Sequence, residues 1–278
     1  PDIVDKSELL RVNSLITNIT ELSRILGPVM AGILLAVNEV GVAGAFVING
    51  VSYIISAILE MFISYDSKPK ISNFNFFNEF KSGIHYIVDD KLLLTLLILI
   101  SLVNFFLSTF TLLMPLYVQN ILNESTNYFT AILATTALGG IVVTIFFMIK
   151  KDYEITFIKM AISLLFTGLF YSAFTLFDLE GLLFLFVFLY GLSLSSFNAM
   201  FFSYIQTKVE KEMLGRVFSV VYMMAIVSVP ISYVVFGHIS KDILDYVFVL
   251  SGVPIVLMSL YCISVFKRDS QEIIIEGV

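Results

Sequence analysis

Two side chains of opposite charge, Glu21 and Arg24, lie three residues apart inside an apolar run near the start of the chain. An ionisable group in such a run is costly and usually serves a function. Because a carboxyl group in apolar surroundings binds a proton more readily than one in water, Glu21 is a candidate for carrying a proton. Arg24 can reach Glu21 across one helical turn, and a structural ion pair is the alternative interpretation.

Three asparagines, Asn49, Asn104 and Asn198, also lie inside apolar runs. Their amide groups suit the few orienting hydrogen bonds of a mostly apolar ligand cavity. They suit hydrogen bonds between packed helices equally well. We therefore take them as candidates for a substrate pathway and leave the packing interpretation open.

Other chemistries lack the residues that they need. One cysteine and two histidines in 278 residues leave little for a metal site, and a disulfide within the chain is excluded. No phosphate-binding Gly-x-x-x-x-Gly-Lys-[Ser/Thr] loop or hydrolase motif occurs. A net charge of −6 without a basic cluster argues against nucleic acid as a partner. We expect no cofactor, no metal and no enzymatic activity.

The composition predicts the elements that must position these residues. Hydrophobic residues make up 58% of the chain and charged residues 14%, whereas soluble domains contain about 25% charged residues. Apolar runs of about 20 residues predict membrane-spanning helices. Eight such runs occur, at residues 14–37, 41–64, 92–118, 127–149, 154–177, 181–205, 214–238 and 244–266. The chain is therefore predicted to be an all-α membrane protein with eight transmembrane helices.

The one long interruption, residues 65–91, divides the predicted spans into two and six. Phe77, Phe80, Ile84, Ile87 and Val88 recur there at helical spacing. This pattern predicts an amphipathic helix on the membrane surface or against the bundle, and a solvated linker is the alternative. The predicted organisation is two helices in 1–64, the loop 65–91, a six-helix bundle in 92–266 and a polar tail in 267–278.

Basic residues predict the orientation. With the start of the chain in the cytoplasm, fourteen of the sixteen lysines and arginines fall on the cytoplasmic side. Cytoplasmic loops carry such an excess, and the opposite orientation would place all fourteen outside. We expect a multi-pass protein of the inner cell membrane whose two ends here are both cytoplasmic.

A short sequence recurs at the start of two predicted helices. Leu9–Leu15 and Leu214–Val220 both read L-x-R-V-x-S-[LV], and Arg11 and Arg216 occupy the same position in each. The two helices lie six apart in order and enter the membrane in the same direction. Parallel six-helix halves are typical of transporters. Arg11 and Arg216 are therefore candidates for a cytoplasmic gate.

Gly27, Pro28 and Gly32 predict a bent helix with one face that lacks large side chains. Pro28 cannot donate a backbone hydrogen bond, so the helix bends there. The glycines and Ala31 remove side chains from one face and would let a neighbouring helix approach closely. An ordinary kinked packing helix is the alternative to a functional seal.

Four segments together resemble a known family: Glu8-Leu-Leu-Arg-Val-Asn-Ser-Leu15, Gly27-Pro-Val-Met-Ala-Gly32, Phe80-Lys-Ser-Gly-Ile-His-Tyr-Ile87 and Leu214-Gly-Arg-Val-Phe-Ser219. They resemble twelve-helix transporters of the major facilitator superfamily, in the bacterial branch of macrolide-efflux and siderophore-exporter permeases. The resemblance implies that the eight spans correspond to helices five to twelve. It also implies that the first four helices of the same protein are missing partners.

The resemblance further implies a function. Gly27, Pro28 and Gly32 resemble the end of the antiporter motif of the fifth helix, although Ala31 replaces its first paired glycine. The expected activity is export of small amphipathic compounds or drugs by alternating access, coupled to protons. The partners are then the lipid bilayer, a small lipophilic substrate and protons. A membrane scaffold or an inactive truncated fragment without transport is the alternative.

Overall fold

The computed structural model describes residues 8–36, 41–62, 76–150, 153–175, 180–238, 241–244 and 246–276. Within these ranges the chain forms helices and no strand, as predicted for an all-α protein. The helices are α1 (Leu9–Ala36), α2 (Gly41–Glu60), α3 (Phe76–Asp89), α4 (Lys91–Asn120), α5 (Thr126–Ile149), α6 (Phe157–Ser172), α7 (Glu180–Lys208), α8 (Lys211–Phe236), α9 (Lys241–Leu244) and α10 (Val247–Glu276). A 3-10 turn, Ala173–Thr175, follows α6.

Seven of the described helices are long and apolar enough to cross a membrane. These are α2, α4, α5, α6, α7, α8 and α10. The first helix, α1, has the length but is not among them, and it carries many polar residues, including Asn13, Thr17, Asn18 and Thr20. The eighth span therefore stays a prediction. At the other end, α10 continues to Glu276, past the predicted last span and into the predicted tail.

Six helices, α4 to α8 and α10, form one bundle around an aromatic core. Tyr171 lies at its centre and is fully buried, with ring centroids of Phe174, Tyr190 and Phe248 between 5.1 and 5.5 Å away. The Tyr171 hydroxyl forms a hydrogen bond of 2.7 Å with the hydroxyl of Thr109. Aromatic side chains bury large apolar areas, and a buried phenol needs such a partner. The core therefore ties α6 to α4, α7 and α10.

Two helix pairs approach each other at glycines. A Cβ atom on Gly139 of α5 would overlap the carbonyl oxygen of Phe188, and one on Gly191 of α7 would overlap that of Thr136. In the second pair, a Cβ on Gly168 of α6 would lie 2.9 Å from the carbonyl oxygen of Gly252 in α10. Small residues permit such close backbone contact in membrane bundles. At these two helix crossings, a larger residue therefore cannot replace the glycine unless the helices move apart.

The periodic stretch in the long loop forms α3, which packs against α8 and α4. Gly83 and Ile87 face the bundle and are buried, with Phe80 partly buried beside them. Phe77 and Val88 remain 80% and 53% exposed. The apolar residues that the periodicity placed on one face are thus divided between a docked side and an exposed side.

Asp90 joins α3 to α4 as an N-cap. Its Oδ1 atom accepts hydrogen bonds from the backbone N–H groups of Leu92 at 2.8 Å and Leu93 at 3.1 Å. These donors lack partners within the helix, and a short polar side chain at this position satisfies them. The cap therefore fixes the direction in which α4 leaves α3.

Replacing Asp90 by alanine is expected to lower the free energy of unfolding by about 1 kcal/mol, because two backbone donors lose their acceptor. Thermal unfolding of the purified protein in detergent measures this loss. Asp90→Asn keeps an acceptor oxygen and should retain most of the stability. Equal losses in the alanine and asparagine variants would contradict the capping role.

Candidate functional site

A cavity of about 480 Å³ lies within the bundle, between α4, α5, α7 and α8. Its wall is formed mainly by apolar and aromatic side chains, with several uncharged polar groups among them. The lining residues are Ile100, Val103, Asn104, Leu107, Ser108, Phe110, Thr111, Leu133, Thr136, Tyr190, Leu194, Asn198, Val229 and Tyr233. None of these fourteen carries a charge. Such a wall suits a mostly apolar ligand that is oriented by a few hydrogen bonds.

Hydrogen-bonding capacity in the cavity is concentrated on four side chains. Asn104 donates one N–H to the carbonyl oxygen of Ile100 at 2.8 Å, which leaves its second N–H and its oxygen for other partners. Among the described residues, the side chains of Thr111, Asn198 and Tyr233 have no hydrogen-bond partner. By contrast, the hydroxyl proton of Thr136 is donated to the carbonyl oxygen of Ile132. Asn104, Thr111, Asn198 and Tyr233 are therefore the groups best able to bind a polar atom of a ligand.

The cavity lies towards one end of the bundle. We call the end at which α3 packs, and at which α4 and α8 begin, the α3 end, and the opposite end the far end. On α8 the lining residues Val229 and Tyr233 lie in the last turns of the helix, at the far end. On α5, which begins at the far end, Leu133 and Thr136 lie in the first three turns. On α4 and α7 the lining residues, Ile100 to Thr111 and Tyr190 to Asn198, lie in the middle of each helix. The cavity thus extends from the middle of the bundle towards the far end.

At the α3 end, α1 packs against α5 and α7 through a polar seam formed by Asn13 and Asn18 with their partners. The Asn13 Nδ2 atom donates to Ser203 Oγ at 3.0 Å and to Gln206 Oε1 at 2.7 Å, both on α7. Asn13 is only 9% exposed. The amide group of Asn13 has two N–H donors, and each bonds to a different side chain of α7. This pair of hydrogen bonds connects α1 to α7 specifically.

The second half of the seam connects α1 to α5. The Thr144 hydroxyl donates to Asn18 Oδ1, and Asn18 Nδ2 lies 3.3 Å from the sulfur of Met148. The same hydroxyl is 2.8 Å from the carbonyl oxygen of Gly140 in its own helix. Since a hydroxyl has one proton, Thr144 bonds either to α1 or to its own backbone. The seam can therefore open without leaving Thr144 unpaired.

Asn104 and Asn198, both predicted from the sequence, are brought together on the wall of the cavity. Asn49 is exposed on α2 and does not line it. Gly27 is exposed on α1, with nothing within 4 Å of an added Cβ. The side chains of Glu21, Arg24 and Pro28, and any neighbours of Gly32, lie outside what the structure describes. The roles predicted for all these residues stay predictions.

The two arginines of the recurring sequence lie at the α3 end but have different partners. Arg11 Nη1 is 3.3 Å from Glu8 Oε2, one turn earlier in the same chain segment. Arg216 at the start of α8 forms an ion pair with Glu79 of α3. Within the described ranges no group of three or more histidine, cysteine, aspartate or glutamate side chains is placed to hold a metal ion.

Sequence reasoning missed Asn13, Asn18 and Tyr233. A signal for the asparagines was present, because Asn13, Ser14, Thr17 and Asn18 fall on one face of a helix at spacings of one, four and five. A polar stripe inside a predicted span indicates a face in contact with protein. Tyr233 carried no comparable signal, since tyrosines near helix ends are also typical of the membrane interface.

Comparisons with known proteins cover most of the chain. The family profile described as Major Facilitator Superfamily matches residues 1–229. A relative named Uncharacterized MFS-type transporter YvqJ, from Bacillus subtilis (strain 168), is 23% identical over 249 residues. The aligned region covers 86% of this chain and 57% of that relative, so the chain spans little more than half of the relative's length.

Proposed function

The chain belongs to the major facilitator superfamily, and from this premise we propose that it forms part of a secondary transporter that exports small amphipathic compounds by alternating access. The observation that carries the proposal is the uncharged, aromatic cavity with Asn104, Asn198 and Tyr233 on its wall. An apolar cavity with few polar groups favours a lipophilic substrate that has one or two hydrogen-bonding atoms. The relative's printed name, which includes the word transporter, supports the same class.

The opposite placement of cavity and seam supports alternating access. Residues lining the cavity lie from the middle of the bundle towards the far end, whereas Asn13 and Asn18 join α1 to the bundle at the α3 end. In this arrangement the protein is closed at the α3 end. Transport to the other side requires the seam to open, and the interchangeable partners of Thr144 lower the cost of opening it.

Direction and coupling are further parts of the proposal. The distribution of basic residues places the α3 end in the cytoplasm of the inner cell membrane, with both ends of the chain on that side. Export is then the movement of substrate from the α3 end to the far end. We assign the proton to Glu21, with an ion pair to Arg24 as the structural alternative.

The remaining partners follow from the exposed surface. Every residue of α2 from Phe46 to Glu60 is exposed, and no part of its apolar span is buried. Lipid and the helices of a first bundle are the partners that this surface suits. In the proposal, α1 and α2 are the last two helices of that bundle.

Replacing Asn198 by alanine or Tyr233 by phenylalanine is expected to raise the half-saturating substrate concentration about three- to tenfold. Each change removes one uncharged hydrogen bond to the substrate, worth about 0.5–1.5 kcal/mol. The measurement is accumulation of erythromycin and ethidium in cells that express the protein as its gene encodes it. A protonophore added in parallel tests the coupling.

Asn120→Ala is the matched control for Asn104→Ala. Both asparagines lie on α4 and donate to the carbonyl oxygen four residues earlier, Asn120 to Leu116 at 2.9 Å, but only Asn104 lines the cavity. If expression of the protein leaves the accumulation of every compound in a broad panel unchanged, with and without protonophore, the transporter proposal is overturned. Transport that is insensitive to changes at all three cavity residues would remove the cavity from it.

A further inference from the structure

Helix α3 is docked onto the start of α8 by three contacts. Glu79 forms an ion pair with Arg216, and the backbone N–H of Glu210 lies 3.4 Å from the hydroxyl of Tyr86. Between them, Gly83 lies so close that a Cβ atom would be 2.9 Å from the carbonyl oxygen of Arg216. An ion pair, a hydrogen bond and a backbone approach at a glycine fix both the position and the rotation of α3 on α8.

Few other described elements hold α8. It packs against α4 and α3, and Phe218 and Tyr222 stack on Phe202 of α7. Of its apolar span 22% is buried, compared with 50% of the span of α4. Nevertheless α8 carries Val229 and Tyr233 into the wall of the cavity. The position of this wall therefore depends on the few contacts that hold α8, and α3 supplies one set of them.

The same helix α3 is attached to α4. Only Asp90 separates α3 from α4, and its capping hydrogen bonds to Leu92 and Leu93 fix that junction. Ile87, in the last turn of α3, is 1% exposed. Helix α3 thus bridges the ends of α4 and α8, two neighbouring helices that both contribute to the wall of the cavity.

The recurring sequence explains why Arg216 is free for this contact. Three residues before Arg11 stands Glu8, which pairs with it; three residues before Arg216 stands Met213, whose sulfur lies 3.1 Å from Arg216 Nη1. A thioether is a weak acceptor and cannot neutralise a guanidinium group. The charge of Arg216 is therefore available to a carboxylate on another element, and Glu79 supplies it.

We propose that α3 is a brace between α4 and α8, and that the Glu79–Arg216 ion pair is the latch that controls access to the cavity whose wall these two helices share. With the latch closed, the α3 ends of α4 and α8 are held at a fixed separation. With the latch broken, α8 keeps its packing against α4 and the stacking of Phe218 and Tyr222 on Phe202 of α7, but its start is no longer fixed, and the wall formed by Val229 and Tyr233 can shift.

Maleimide labelling of a single cysteine in the cavity tests the brace without any substrate. The background is Cys262→Ser, which removes the cysteine of this chain, and the reporter is Val229→Cys. Glu79→Gln and Glu79→Arg should raise the labelling rate about fivefold, the size expected for loss of one partly exposed ion pair. The double variant Glu79→Arg with Arg216→Glu should restore the original rate.

Glu8→Arg is the matched control, because it breaks the corresponding ion pair of Arg11, which joins no second element to α8. Three results would each overturn the brace. The labelling rate could be unchanged in folded Glu79→Gln, it could rise by the same factor in Glu8→Arg, or the charge exchange could fail to restore the original rate. If Glu79→Arg alone does not fold, the labelling rates of Glu79→Gln and of the charge-exchange variant test the brace. The outcome does not depend on whether the protein transports.

Discussion

Alanine at Gly139 or Gly191 is expected to abolish or nearly abolish the folded protein. A Cβ on Gly139 overlaps the Phe188 carbonyl oxygen, and one on Gly191 overlaps the Thr136 carbonyl oxygen. The atoms in the way are backbone atoms in the middle of helices, so no side chain can rotate to make room. The two helices must separate along the crossing, at a cost of about 3 kcal/mol or more.

Fluorescence-detected gel filtration and thermal unfolding in detergent measure this loss. Gly181→Ala is the control on the same helix as Gly191, since nothing lies within 4 Å of an added Cβ there. An alanine in an open helical position is neutral or stabilises by up to about 1 kcal/mol. Wild-type yield and melting temperature in Gly139→Ala would contradict the close crossing of α5 and α7.

The crossing glycines mark what the sequence leaves undetermined. Gly139 and Gly191 lie in apolar runs of the same kind as those around Gly27 and Gly50, yet the described structure has open space beside the latter two. The hydropathy of a segment is a property of that segment alone, and it predicts where membrane spans begin and end to within a few residues. Which face of a helix meets which neighbour depends on pairing between distant segments, and the sequence contains no direct measure of that pairing.

The candidate site shows the same division. Asn104 and Asn198 were identifiable because uncharged polar residues inside spans are costly, and both lie on the cavity wall. Asn49 satisfied the same criterion but is exposed on α2. Arg216 was identifiable from the recurring sequence, whereas its partner Glu79 is 137 residues earlier and was visible only once α3 was seen to dock on α8.

The double variant Asn13→Ala with Asn18→Ala is expected to open the α3 end about 20-fold more often than the wild type. It removes three hydrogen bonds between α1 and oxygen atoms of other helices, those of Ser203, Gln206 and Thr144, and one weak hydrogen bond to the sulfur of Met148. Interhelical hydrogen bonds in membrane proteins are worth roughly 0.6 kcal/mol each, and the loss of three shifts a two-state equilibrium by about this factor.

A cysteine at Ser14 reports the opening. The Ser14 side chain is 0% exposed next to the seam, and its hydroxyl donates to the Leu10 carbonyl oxygen of its own helix, so Ser14→Cys disturbs no contact between helices. Maleimide should label this cysteine about 20-fold faster in the double variant. Thr20→Ala is the control, because Thr20 is exposed on the same helix and donates only to the Ile16 carbonyl oxygen.

Labelling that is equally slow in the double variant and in Thr20→Ala would mean that the seam does not hold the α3 end closed. Faster labelling combined with lost transport identifies the seam as the closure that alternating access must open and reform. The Thr144 hydroxyl makes such a closure reversible, since its proton bonds to Asn18 in the closed form and to the Gly140 carbonyl oxygen in the open one. Because Thr144 and Ser203 both bond within their own helices when α1 moves away, only Asn13, Asn18 and Gln206 need new polar partners, and the free-energy difference between the two forms stays small enough for a substrate to reverse it.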